Sequence, residues 1–175
     1  MENVKIVGLG VAACVAYGIA HDMVTAHLCV EYFALEHPAI VPTDSAVVLA
    51  LVWGVVATWW VGAILGLLLA AASRWGQYDK LTARDLLLSV VRLMALVGVC
   101  AFLAGVLGYW VSSVWEFHRY RFNPEWATAE QTPRYWAVTF AHTASYVVGV
   151  SGGIWLAVKA WLWRRRLGQH SETGS

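Results

Sequence analysis

Four stretches of the chain are apolar for long enough to cross a bilayer, and the polar positions are largely confined to the segments between them. The first runs from Ile6 to about Ala20, the second from Ala46 to Ala72, the third from Leu86 to Trp115 and the fourth from about Trp136 to Trp163. A hydrocarbon core of about 30 Å takes roughly 20 consecutive apolar residues in a helix, because each residue advances about 1.5 Å. The second stretch contains no charged residue and is the clearest spanning signal. The third carries Arg92 about two turns in, where a long side chain reaches back to the headgroups. The pattern predicts an all-α protein: a four-helix membrane bundle, one domain over residues 1–175, with spans near 4–25, 46–72, 86–115 and 136–163.

Boundary residues fit the same reading. Asp44 and Ser45 stand before the second stretch, and Thr82 and Asp85 before the third, where side-chain oxygens accept the free N–H groups of a first helical turn. Between Ala20 and Pro38 nothing breaks the helical pattern. The first helix is therefore expected to leave the membrane and continue outside it, its polar half starting at His21. The fourth ends in Arg164, Arg165 and Arg166, a stop-transfer pattern, and Glu172 to Ser175 form a short polar tail.

Orientation follows from the cations, which are retained on the cytoplasmic side. Lys5, Arg74, Lys80, Arg84, Arg92, Lys159 and Arg164 to Arg166 fall on one side, against Arg119, Arg121 and Arg134 on the other. Both termini and the Ser73 to Asp85 loop are thus expected in the cytoplasm, and the two longer loops outside. Trp75, Trp110, Trp115, Trp136, Trp161 and Trp163 stand near the expected interfaces, as amphipathic indoles prefer.

Composition agrees with a lipid-exposed surface: 59% of the residues are hydrophobic and 13% charged. A net charge of +1 provides no field for nucleic acid, so none is expected as a partner. Cys14, Cys29 and Cys100 form no C-x-x-C pair, which argues against dithiol redox chemistry. Too few apolar residues precede Cys14 for the V-A-A-C stretch to act as a lipidation box. The Gly18-Ile19-Ala20 stretch, with small residues at Gly18 and Ala20 after an apolar run, makes a cleaved signal the rival to a first span.

The candidate chemistry lies on one side. His21, His27, His37, His118 and His142 belong to the outward half, together with seven of the acids, and only His170 is inside. In the segment H-D-M-V-T-A-H-L-C-V-E-Y-F, helical spacing puts His27 and Glu31 one turn apart on one face. Glu116 and His118 close the third stretch, splayed by about 200° unless the helix ends there. His142, Ser145, Tyr146 and Gly149 form one stripe of the fourth, with His142 about 9 Å deeper than Trp136.

Imidazole and carboxylate from several helices suit a transition metal, zinc or iron, and His27, Glu31, Glu116 and His142 are the expected ligands, with His21, Asp22 and His118 in reserve. Tyr146 or Thr25 would orient a ring. Haem b, held axially by a pair such as His27 and His142, is the alternative cofactor. Asp22 is expected at the outer edge of the hydrocarbon among headgroups; drawn inward, it needs His21 or His142 as a partner. Gly62 and Gly66, and Gly149 with Gly152 and Gly153, are small-residue faces for close helix packing, within the chain, in a homo-oligomer or against another membrane subunit.

The segment His21 to Phe33, the W-G-V-V-A-T-W-W-V-G stretch from Trp53 to Gly62 and A-H-T-A-S-Y-V-V-G around His142 resemble a group of bacterial multi-pass inner-membrane proteins, over about a fifth of the chain. The resemblance implies a bacterial inner membrane and carries no activity with it. The function expected is an accessory membrane protein with an outward-facing His/Glu site for a metal or small ligand. A metal- or haem-dependent oxidoreductase is the alternative, and a small ion or proton transporter, which needs a polar path through both leaflets, comes last.

Overall fold

The computed structural model describes the backbone to Glu172 and side chains to Arg166, so the His170 side chain and the polar tail beyond Glu172 fall outside the described residues. The chain is all-helical: α1 (Glu2–Leu28), α2 (Val30–Leu35), α3 (Ala46–Val56), α4 (Trp59–Arg74), α5 (Ala83–Val114) and α6 (Thr132–Glu172), with a 3-10 turn at Phe117–Arg119. Four segments are long and apolar enough to cross a membrane: Glu2–Leu28, Ala46–Arg74, Ala83–Val114 and Thr132–Arg166. Large apolar side chains point away from the bundle, Phe102 at 70% and Trp155 at 65% exposure among them. Such a surface is unfavourable in water and ordinary in lipid.

Backbone contact between helices is possible because glycines meet glycines. A Cβ on Gly10 would lie 2.6 Å from the carbonyl oxygen of Gly62, and one on Gly54 would lie 2.6 Å from Cα of Ile19. These distances forbid any side chain, so α1 lies directly against α3 and α4. Gly66 meets Val7 in the same seam, and Gly153 of α6 meets the Leu65 side chain. Gly62, Gly66 and Gly153 are thus filled from within the chain, while Gly149 borders open space. On the other side α5 packs along α6, where Gly108 abuts the Trp136 carbonyl. Because α1 carries the buried Ile6 and Gly18, a chain cut after Ala20 would lose half of this seam.

Caps form where expected. Asp85 and Thr82 make a reciprocal capping box, and Ser45 Oγ accepts from the Val48 N–H. The second candidate span is interrupted at Ala57 and Thr58, where the Thr58 hydroxyl donates to the Gly54 carbonyl one turn back, a bond that competes with the helical ladder.

One expectation fails. The first helix does not run on unbroken to Pro38: Cys29 adopts φ −151° and ψ 89°, and the chain resumes as α2, folded onto the bundle. Helical propensity loses here to burial, since Phe33 at 2% exposure packs with Ala26, Leu49, Ala50 and Val138. The result is a roof at the end of the bundle opposite the termini.

At the termini end Arg164 is fully buried. Its Nε donates to the Asp79 carbonyl at 2.6 Å, Nη1 to those of Ala72 at 2.8 Å and Trp75 at 3.0 Å, and Nη2 to that of Tyr78 at 3.0 Å. The guanidinium satisfies the free carbonyls at the end of α4 and ties the α4–α5 loop to α6.

Candidate functional site

Two polar stripes face each other across the middle of the roofed half. Cys14, Tyr17, Gly18, His21 and Asp22 recur at helical spacing on α1, and His142, Ser145, Tyr146 and Gly149 do so on α6. Both border a cavity of about 120 Å³. Tyr32 and Phe33 of α2 cover it, their rings 5.0 and 5.6 Å from that of His142, and His37 packs 4.7 Å from the Trp53 ring. The deeper wall is apolar, with Val61, Leu65, Met94, Val97 and Val150.

Asp22 is drawn inward, not out to the headgroups. It is 5% exposed, and its Oδ1 lies 3.2 Å from His142 Nε2. His21 completes the group: one ligand-type atom from each of His21, Asp22 and His142 lies within 4.8 Å of the others, the one such trio among the described residues.

Following the protons shows what this trio lacks. His142 Nδ1 stands 3.0 Å from the Val138 carbonyl, which only accepts, so Nδ1 carries the hydrogen and Nε2 of the neutral ring is a lone pair facing a carboxylate. Ser145 Oγ donates to the Ala141 carbonyl at 2.9 Å, so Tyr17 must be the donor in its 2.7 Å bond to Ser145. The Tyr17 oxygen then accepts from His21 Nδ1 across a long 3.5 Å, which leaves His21 Nε2 also a lone pair. That atom is buried and has no partner. A lone pair of His142 thus faces the Asp22 carboxylate at 3.2 Å with His21 beside them, a donor set of the kind that holds a metal ion.

The other expected ligands stand elsewhere. His27 is exposed and its Nδ1 bonds the Met23 carbonyl at 2.6 Å. The break at Cys29 takes Glu31 off the face it would have shared with His27; Glu31 instead accepts from Gln131 Nε2 at 2.9 Å and from Cys29 Sγ at 3.6 Å. The third helix ends at Val114, but Glu116, in the left-handed conformation at φ 48°, pairs with Arg119 at 3.0 Å, and His118 is exposed. Of the four leading candidates, His142 alone belongs to the trio, joined by His21 and Asp22 from the reserve set. Thr25 bonds the His21 carbonyl and not its ring. Tyr17 went unnoticed in the sequence, although its spacing of four from His21 was there to read.

The roof has its own electrostatics. Burial pushes the Tyr32 phenol up to about 12 and the Cys29 thiol up to about 11. Glu31 is held below the usual carboxylate value, first by a backbone N–H and also by Gln131. Comparisons with family models, with curated proteins and with solved structures return no match for this chain.

Proposed function

We propose that the chain is a bacterial inner-membrane protein, both termini cytoplasmic, that binds one divalent transition metal, zinc or iron, through His21, Asp22 and His142, with an open position toward the cavity. The observation that supports this reading is the gathering of one ligand-type atom from each of His21, Asp22 and His142 within 4.8 Å, with Asp22 Oδ1 3.2 Å from His142 Nε2. Metal–nitrogen and metal–oxygen bonds of about 2.0–2.2 Å put neighbouring ligand atoms roughly 3.3 Å apart in a tetrahedral site. The 3.2 Å between Asp22 and His142 matches that spacing, and His21, whose ligand atom lies within 4.8 Å of both, would have to move closer on binding. Three protein ligands and an open fourth position are the pattern of reactive rather than purely structural sites. With iron the site would serve an oxidoreductase; with zinc, binding or hydrolytic chemistry.

Haem b fits less well, since His142 Nε2 is already paired with Asp22 at 3.2 Å and His27, the other histidine expected to hold it, is exposed and bonded to the Met23 carbonyl. A transport path is disfavoured by the apolar deep wall of the cavity.

The test is metal analysis of the full chain purified in detergent after exposure to zinc or ferrous iron, beside Asp22→Asn and His142→Gln variants whose helicity and dispersity are verified. One metal per chain in the wild type, lost in both variants, is expected. A wild type that stays free of metal, or variants that hold it equally well, would end the proposal.

A further inference from the structure

On the lipid-facing side of the cavity, α1, α5 and α6 leave a second, larger space between them, an apolar groove of about 690 Å³. That volume lies within the range of roughly 300–1,000 Å³ usual for small-molecule sites. The groove exists because the helices meet through small residues, Gly98, Ala101 and Gly105 on α5 and Ala137 and Ala141 on α6. It follows α1 from Tyr17 to Leu28, about 16 Å at 1.5 Å per residue. No charged side chain lines it.

The groove and the metal cavity share two residues, Tyr17 and His21. The imidazole whose Nε2 lacks a partner is therefore the partition between a lipid-facing trough and the proposed coordination site. We infer that the ligand of the metal centre is a single-chain amphiphile of the fatty-acid class, which enters from the bilayer with its chain along the groove and its oxygen head turned toward the open metal position. This inference rests on the metal reading above. The chain matches an apolar channel that lies within spanning segments; the head matches an open position that takes an oxygen donor.

The experiment uses the full chain in nanodiscs, loaded with cobalt(II), whose visible bands respond to a new ligand. The probe is a long-chain fatty acid with a diazirine in its chain. Two variants narrow the groove while sparing the metal ligands. Gly98→Leu places a Cβ in ordinary contact, 3.7 Å from Tyr17 Cε2, with nothing else within 4 Å. Val24→Trp builds from a residue that is 69% exposed and lines the groove.

In the wild type the probe is expected to shift the cobalt bands and to crosslink within Gly98–Val106 or Ala20–Leu28. Both variants should keep one cobalt per chain and lose the band shift and the crosslink at least tenfold. Cobalt bound normally with no response to the probe, or a response unchanged in both variants, overturns the amphiphile inference and leaves the metal site standing. No cobalt bound at all overturns the metal reading and this inference with it.

Discussion

Two buried polar clusters sit at opposite ends of the same bundle, and they are built on opposite terms. At the termini end Arg164 is enclosed, and four carbonyls accept its hydrogens at 2.6 to 3.0 Å. At the roofed end Asp22 is buried between the half-buried His21 and His142, and there a His142 lone pair faces a carboxylate while His21 Nε2 has no side-chain or backbone partner. The first is a cation among acceptors, complete in itself. The second is a set of acceptors without a cation. A buried polar group that the fold satisfies is there for the fold; one that the fold leaves short of a charge points to something from outside.

That contrast can be broken at either end. Replacing Arg164 by Met keeps much of its packing and orphans the carbonyls, so a loss of stability on the order of 3 kcal/mol is expected, comparable with one or two unsatisfied buried groups. Denaturation in detergent would measure it, and metal affinity at the distant trio should stay within about threefold.

Asp22→Asn should do the reverse. It removes an anionic ligand and is expected to weaken zinc binding by roughly 100-fold or more, beyond the 10–100-fold typical of outer-shell changes. Stability without metal should move by less than about 1 kcal/mol, because the change also removes a buried charge. The two variants are separated further by titration. Zinc at 100 times its Kd should add about 2.7 kcal/mol to the wild type and to Arg164→Met, and nothing comparable to Asp22→Asn. Equal stabilisation of all three would erase the distinction between the two ends.

A smaller effect is expected at the roof. Glu31 has its pKa held below 4.5 in the folded chain by backbone and Gln131 hydrogen bonds. Its contribution is therefore present above about pH 4.5 and lost as pH falls through the lowered value. The protection factors of the α2 amides, that is, exchange relative to the intrinsic rate at each pH, should fall between pH 6 and pH 3.5 in the wild type, with a smaller change in Glu31→Gln. Because the carboxylate is only partly covered, the effect should stay below about 1 kcal/mol.

The spans were legible because a 20-residue apolar run has few other readings, and because Thr82 with Asp85 marks a helix start in any context. The stripe of His142, Ser145, Tyr146 and Gly149 was equally legible and does face the cavity. What misled was the assumption that α1 continues past Cys29. A one-residue break decided by the burial of Phe33 removed Glu31 from the face of His27, and no local signal announces a choice made by Leu49 and Val138. Asp22 was placed among headgroups because depth along one helix says nothing of what another helix offers at that depth. The role of Arg164 was masked by its neighbours, since three consecutive arginines read as one stop signal while the structure buries the first of them.

The seam between α1 and α6 also has a history in time. Tyr17 and its partner Ser145 are 128 residues apart in the chain, and Asp22 and His142 are separated by nearly as much. At about 5–20 residues per second of synthesis, roughly 6 to 26 seconds pass between the emergence of one partner and the other. Throughout that interval α1 carries a carboxylate that the finished bundle will cover but the nascent one does not. Formation of the first helix and maturation of the trio are thus separate events, and a chain stopped before α6 would carry α1 with the Asp22 carboxylate still without its partner on α6.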